Sequence, residues 1–516
     1  MSIRIIKNLG SGLLAQAWTV LLGLVALPVL VRGLGAEHYG LLALSLALIG
    51  FAAVADLGVG RAASKFIAED YERNESGRTE RFVRTSLTVS AVTGLLGTAG
   101  LLLLTPLLVR RVLNVRQALQ AEAQIVFGLT AIGLVPVLLR ILFDGVLAGH
   151  HRIAFLNLSN MMANTLKAGL SIAAILAGHS VLSIVAINVA VCYLHAIGLG
   201  WYTFRFFSGR IRVAFGWDRN IARQLLELGL VSTLSWVLAN VIFLYADRVI
   251  IGMFLPLAMV GYYTMAFDIA SKQWYISSSV SQTFFPVFSG QSVSHQGALG
   301  QSYIQAAKAL AVLVTGATML LVVFSRELLT YWIGPDFAAH STAPLMLLGI
   351  GILLSCYVTI PYTAIISAST RPAVCAAIFG AAIVVHIGAS LWWLRLWGIL
   401  GVASAFTVAY AFVFLAATWW VSRNLIRIPF ATVLGRCFVV PWIIAGACGA
   451  ACWFLVRPLI HNLATVGAAF ILAYLVYLGL CSMAAYSEEE RRRGWEMGRE
   501  ILSTAPKSLV VARQER

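Results

Sequence analysis

GLGAEHYGLLALSLALIGFAAVADLGVGRAASKFIA, residues 33–68, enters through a Gly/aromatic turn, runs apolar over 38–60 and stops at Asp56, Arg61 and a charged segment. At 1.5 Å per residue, an apolar run of about 20 residues covers the ~30 Å hydrocarbon core of a bilayer. Reading outward, comparable runs occupy 9–31, 85–109, 123–147, 154–177, 181–204, 225–246, 258–287, 304–324, 342–367, 373–394, 397–421, 437–456 and 463–485. With 38–60 they predict fourteen transmembrane helices in an all-α polytopic membrane protein. Composition agrees: of 516 residues 60% are apolar and 11% charged, with a mean hydropathy of +0.87. A soluble domain carries about 25% charged residues, so a soluble enzyme, a disulfide scaffold and a nucleic-acid-binding domain are all excluded.

Charge sets the expected orientation. With both termini in the cytoplasm, that side receives 26 of the 37 Lys and Arg residues, the other side receives eight, and Arg140, Lys167 and Lys272 stay inside spans. Lys and Arg in short loops face the cytoplasm, so both termini are placed there. The segment 61–84 is expected to extend its flanking helices, and the tail from Tyr486 to form a surface helix against the headgroups. The seven cysteines lie in or beside apolar runs without a CxxC pair and read as small apolar filler. No metal-ligand grouping, P-loop or nucleophile–base arrangement stands out, so no metal, no cofactor and no direct use of ATP are expected.

Segments 31–45 and 252–266 echo each other, with Tyr39 and Tyr262 223 residues apart; the hairpins around Arg152 and Arg371 do so at 219. Spans 1–6 are therefore read as repeating in spans 7–12. The expected organisation is an N-lobe (1–207), a basic cytoplasmic linker (208–224), a C-lobe (225–424), two appended spans (425–486) and a cytoplasmic tail (487–516). Each half has an even number of helices, so the halves would be parallel repeats about an axis along the membrane normal. Two six-helix lobes around a central cavity suit transport by alternating access better than catalysis, and the short outer loops offer no catalytic domain.

The "LG…YG" entry to the second span with its "DLG", the "DR-hydrophobic-IG" before "GYY" in NVIFLYADRVIIGMFLPLAMVGYYTMAFDIA (240–270), and LLTYWIGPDF (328–337) together resemble the O-antigen translocase branch of the multidrug/oligosaccharidyl-lipid/polysaccharide exporter superfamily. Pro256 stands where that pattern usually has Gly, and suits the same tight turn. The resemblance implies a bacterial inner-membrane flippase, not an enzyme, that moves an undecaprenyl-diphosphate-linked oligosaccharide between leaflets for surface polysaccharide synthesis. A monomer in the bilayer is expected, with a polysaccharide polymerase as the partner left open.

Charged side chains at bilayer depth cost about 2.5–3.5 kcal/mol on insertion scales, so each needs a partner or a polar cavity. Arg140 and Asp144 stand four apart, as do Asp268 and Lys272, and each pair can neutralise itself along one helix face. Lys167 has no carboxylate within a turn of its own helix and shares a polar stripe with Asn160 and Asn164. The expected anionic-headgroup site is Lys167, Arg140, Lys272 and Asn164, with Asp56, Arg61, Asp144 and Asp268 as gating or coupling candidates. Asp247 and Arg248 read as gate or topology markers, and mid-span His195 and His386 as hydrogen-bonded packing residues or titrating groups. Two other functions compete. An organic-cation antiporter would want carboxylates to exceed bases inside the membrane, and a polymerase or ligase would want a large outer loop.

Overall fold

The computed structural model describes residues 3–52, 56, 58–73, 76–206, 215–225, 227, 242–294, 296–369, 371, 373–486, 488 and 490. Among these every regular element is helical, which keeps backbone polar groups paired where water is absent. Ten helices among the described residues are long and apolar enough to cross a membrane. Fewer appear than the fourteen expected because some expected spans are joined or broken, and because 154–177, though one unbroken helix, is not among the ten. Spans 9–31 and 38–60 form one run, α1 (Ile3–Ala52), interrupted at Gly35, whose φ of 72° and ψ of 173° suit a residue without Cβ. Span 258–287 breaks at the 3₁₀ turn Ser271–Gln273. Span 225–246 falls largely outside the described residues, as does the tail.

The chain forms two compact units, 1–275 with 329–351 and 373–413, and 276–328 with 352–372 and 414–516. In the first, α1 is followed by α2 (Val59–Arg73), α3 (Ser76–Leu107), α4 (Gln120–Ile132), α5 (Leu134–Gly149), α6 (Ile153–Leu176) and α7 (Val181–Phe206). Then come α8 (Ile242–Phe254) and α9 (Leu257–Ala270), with Pro256 at the N-cap of α9. The charged segment 61–84 does extend into helices. Ala63, Phe66 and Ile67 of α2 pack on Phe82 and Val83 of α3 and Leu142, Phe143 and Val146 of α5. Lys65 and Glu69 pair at 3.9 Å on the opposite face, which gives α2 its two-sidedness.

The echoing segments meet each other. A Cβ on Gly40 of α1 would lie 2.1 Å from the Leu257 carbonyl oxygen, and one on Gly261 of α9 would lie 2.2 Å from that of Ala36. Gly40 and Gly261 are 221 residues apart, as are Ala36 and Leu257, so corresponding positions contact each other reciprocally. That pattern belongs to a two-fold relation. The register of this contact lies two residues from the Tyr39–Tyr262 echo, and places Gly35 opposite Pro256 in the same numbering.

In the second unit, α11 (Gln296–Val323) packs on α16 (Val440–Ala451) and α17 (Leu463–Ala484) through Met319, Phe324, Ala445, Ala469 and Tyr477. Before α11 comes α10 (Trp274–Ser294). After it run α12 (Ser325–Trp332), α13 (Pro335–Ala368), α14 (Ala373–Trp397) and α15 (Ile399–Val421); α12, α13 and α15 each divide between the units, and α14 lies in the first. Asn462 opens α17 with a capping box, accepting from the Thr465 N–H at 2.9 Å. Lys308 pairs with Glu490 at 3.2 Å and Arg457 with Glu327 at 2.6 Å.

Candidate functional site

A cavity of about 400 Å³ opens within the first unit among α1, α4, α5, α6 and α7. Its polar wall is built by helical periodicity: Asn160, Asn164 and Lys167 from α6, Asn188, Cys192 and His195 from α7, and Arg140 from α5. Arg140 donates from Nη1 to Asp144 Oδ2 at 2.7 Å and reaches Asn160 Oδ1 at 3.5 Å. Lys167 Nζ donates to Cys192 Sγ at 3.2 Å. A thiol is a weak acceptor, so the ammonium keeps most of its capacity for a stronger one. Among the described residues Lys167 makes no ion pair within 4.0 Å. Arg140 is balanced by Asp144 and Lys167 is not, so the cavity carries one uncompensated positive charge beside three amide side chains. That donor set is chemically suited to an anion with several oxygen acceptors.

Lys167, Arg140 and Asn164 thus share one cavity. Lys272 does not: in the 3₁₀ turn its Nζ lies 3.5 Å from where a Cβ on Gly23 would stand. The expected Asp268–Lys272 neutralisation is replaced as well. Asp268 accepts from Arg248 Nη2 at 3.2 Å and from the Tyr39 hydroxyl at 2.8 Å, because the turn at 271–273 ends the α-helical spacing that would have joined it to Lys272. Asp144 reaches the cavity only through Arg140. Asp56 is buried and accepts from the Gly60 N–H at 3.5 Å at the start of α2, where Arg61 is exposed. Asn188 and Cys192, four apart and followed by His195, already mark one polar face of α7 in the sequence. Their meeting with Lys167 has no local signal.

The family model described as "Polysaccharide biosynthesis protein" matches residues 5–291, more than half of the chain. The chain belongs to this family. A Shigella flexneri protein provisionally named an O-antigen transporter is 22% identical over 436 residues, covering 81% of this chain and 98% of that one. Among solved structures, the lipid II flippase MurJ in an inward closed conformation superposes with a TM-score of 0.70 at 13% identity, covering 90% of this chain and 97% of that one. An inward-facing multidrug resistance MATE family transporter of the MOP superfamily does so at 0.65 and 16%, covering 84% and 96%. The polysaccharide biosynthesis family member described here therefore has the fold of both transporters.

This family member holds a second polar cluster, in α8, α9 and α14 of the same unit. Asp247, 1% exposed, lies 2.8 Å from Nε2 of the fully buried His386 and accepts from the Tyr263 hydroxyl. The next residue, Arg248, binds Thr264 Oγ1 at 3.2 Å as well as Asp268, and its guanidinium sits 4.9 Å from the Phe267 ring centre. Asp247 and His386 are 139 residues apart, which is why neither could be paired from its own helix.

Proposed function

We propose that this protein is a flippase carrying a polyprenyl-diphosphate-linked oligosaccharide, undecaprenyl in bacteria, from the inner to the outer leaflet of the inner membrane. It would work by alternating access of two six-helix lobes within fourteen spans. The observation that carries this reading is Lys167, a cation deep in its helix whose only acceptor among the described residues is a thiol, in a cavity shared with Arg140, Asn160, Asn164 and Asn188. A diphosphate supplies what that cavity lacks, and the amides suit sugar hydroxyls. The family, the name of the Shigella flexneri relative and the MurJ-like fold support the same reading. The MATE likeness raises an organic-cation antiporter, but a cavity with Arg140 and Lys167 against Asp144 repels cations.

The test is reconstitution in liposomes with labelled polyprenyl-diphosphate oligosaccharide, reading the rate at which the sugar becomes open to an added glycosidase. Losing one charge-assisted bond of about 1.5–3 kcal/mol predicts that Lys167→Ala slows exposure roughly 10- to 150-fold. Exposure that survives the substitution would keep the function and discard the site. No exposure above empty liposomes, under ion gradients of either sign, would favour the antiporter.

A further inference from the structure

Alongside the cavity runs a second, larger hollow of about 820 Å³, an apolar groove lined by Trp18 of α1, Met161, Met162, Leu166 and Leu170 of α6 and Leu194 of α7. The two hollows share Ala163 and His195, so a single molecule could occupy both. Helix α6 has the sequence for this: Leu158, Met162, Leu166 and Leu170 recur every fourth residue on the groove side, while Asn160, Asn164 and Lys167 serve the cavity. Met162 is 66% and Leu194 60% exposed, so among the described residues nothing fills the groove. The polar groups at its wall are satisfied, Trp18 Nε1 by Thr165 Oγ1 at 2.8 Å and Ser159 Oγ by His195 Nε2 at 2.8 Å. An apolar occupant therefore strands none of them.

We infer that this groove holds the prenyl chain of the substrate whose diphosphate sits in the adjoining cavity, an inference that rests on the proposed function. Charge placement selects this occupant. An ordinary phospholipid keeps its phosphate at the membrane surface, whereas here the cation lies 14 residues into α6, at about 21 Å along the helix. Only an amphiphile whose anionic group enters the cavity puts its chain root at the shared wall of Ala163 and His195. The groove runs from Leu158 to Leu170, about 18 Å along α6, on both sides of the shared Ala163. Two methionines give that wall the adaptability a branched, flexible chain requires.

Gly169 and Gly198 line the groove, and a Cβ on either meets nothing within 4 Å, so a side chain added there starts into open space. The experiment uses the full chain in nanodiscs and a polyprenyl diphosphate with a diazirine in its chain. Photolabelling is expected on 158–170 of α6, to be suppressed about tenfold by unlabelled polyprenyl diphosphate but not by matched phospholipid. It should fall by a similar factor in Gly169→Trp and Gly198→Phe, each checked as monodisperse and still binding a short-chain prenyl diphosphate. Labelling that phospholipid suppresses equally, or that both filled variants retain, overturns the inference and assigns the groove to bulk lipid. Glycosidase exposure measured on the same protein separates the two readings. Groove labelling without flipping would keep the groove and overturn the flippase, and flipping without groove labelling would do the reverse.

Discussion

Asp247 and His386 have almost no contact with solvent, so their charge and polarity are met inside the protein, by each other and, for Asp247, by the Tyr263 hydroxyl. Removing one partner of a buried pair costs about 3–5 kcal/mol, whereas replacing both with apolar groups of similar size is often neutral. His386→Leu is therefore expected to lower thermal stability in detergent sharply, and Asp247→Leu/His386→Leu to recover most of the loss. A double variant as unstable as the single would show that Tyr263, not His386, is the partner that matters. His150, in the hairpin after α5, has a different kind of dependence. Burial first, then His151 and Arg152, lower its pKa to about 4. A base held below its unfolded value of about 6.5 contributes its full stability above that pH and loses it as pH falls towards 4. The melting temperature should decline across that window and flatten in His150→Gln; an unchanged slope would assign the decline to other groups. At this scale the sequence shows which residues are chemically expensive. Asp268 illustrates the limit, since its spacing to Lys272 was legible and its partners Arg248 and Tyr39 were not.

Between elements, small residues decide what can approach. Gly40 and Gly261 bring α1 and α9 within backbone contact, where the atom a Cβ would meet is a carbonyl oxygen that cannot swing aside. Gly261→Ala should cost at least the upper part of the ~1–3 kcal/mol typical of overpacking. Gly467 and Gly479 of α17 face open space, so alanine there should stabilise by roughly 0.5–1 kcal/mol. Equal losses at Gly261 and Gly479, read by thermal unfolding, would refute the close-contact argument. The Gly/aromatic echo was visible in the sequence as a motif. That its two copies pack on one another, and in a register of 221 rather than 223, depends on the break at Gly35 that lets α1 turn.

Over the whole molecule, charge distribution and long apolar runs make one demand together, that the chain cross a membrane many times. The 26-to-8 division of Lys and Arg predicts a cytoplasmic C-terminus, so a fluorescent protein fused after Arg516 should mature and a fused phosphatase should stay inactive. Active phosphatase would invert the orientation. Membrane residence, helical class and the faces of α6 were determined by the sequence alone, because hydropathy and the 3.6-residue period are local properties of a helix. Tertiary structure decided which faces meet: Lys167 opposite Cys192, Asp247 opposite His386, and an apolar groove sharing a wall with a cationic cavity. Those pairings join residues that are 25 and 139 apart in the chain. Cavities form where packed helices leave space between them, and no single helix encodes that space.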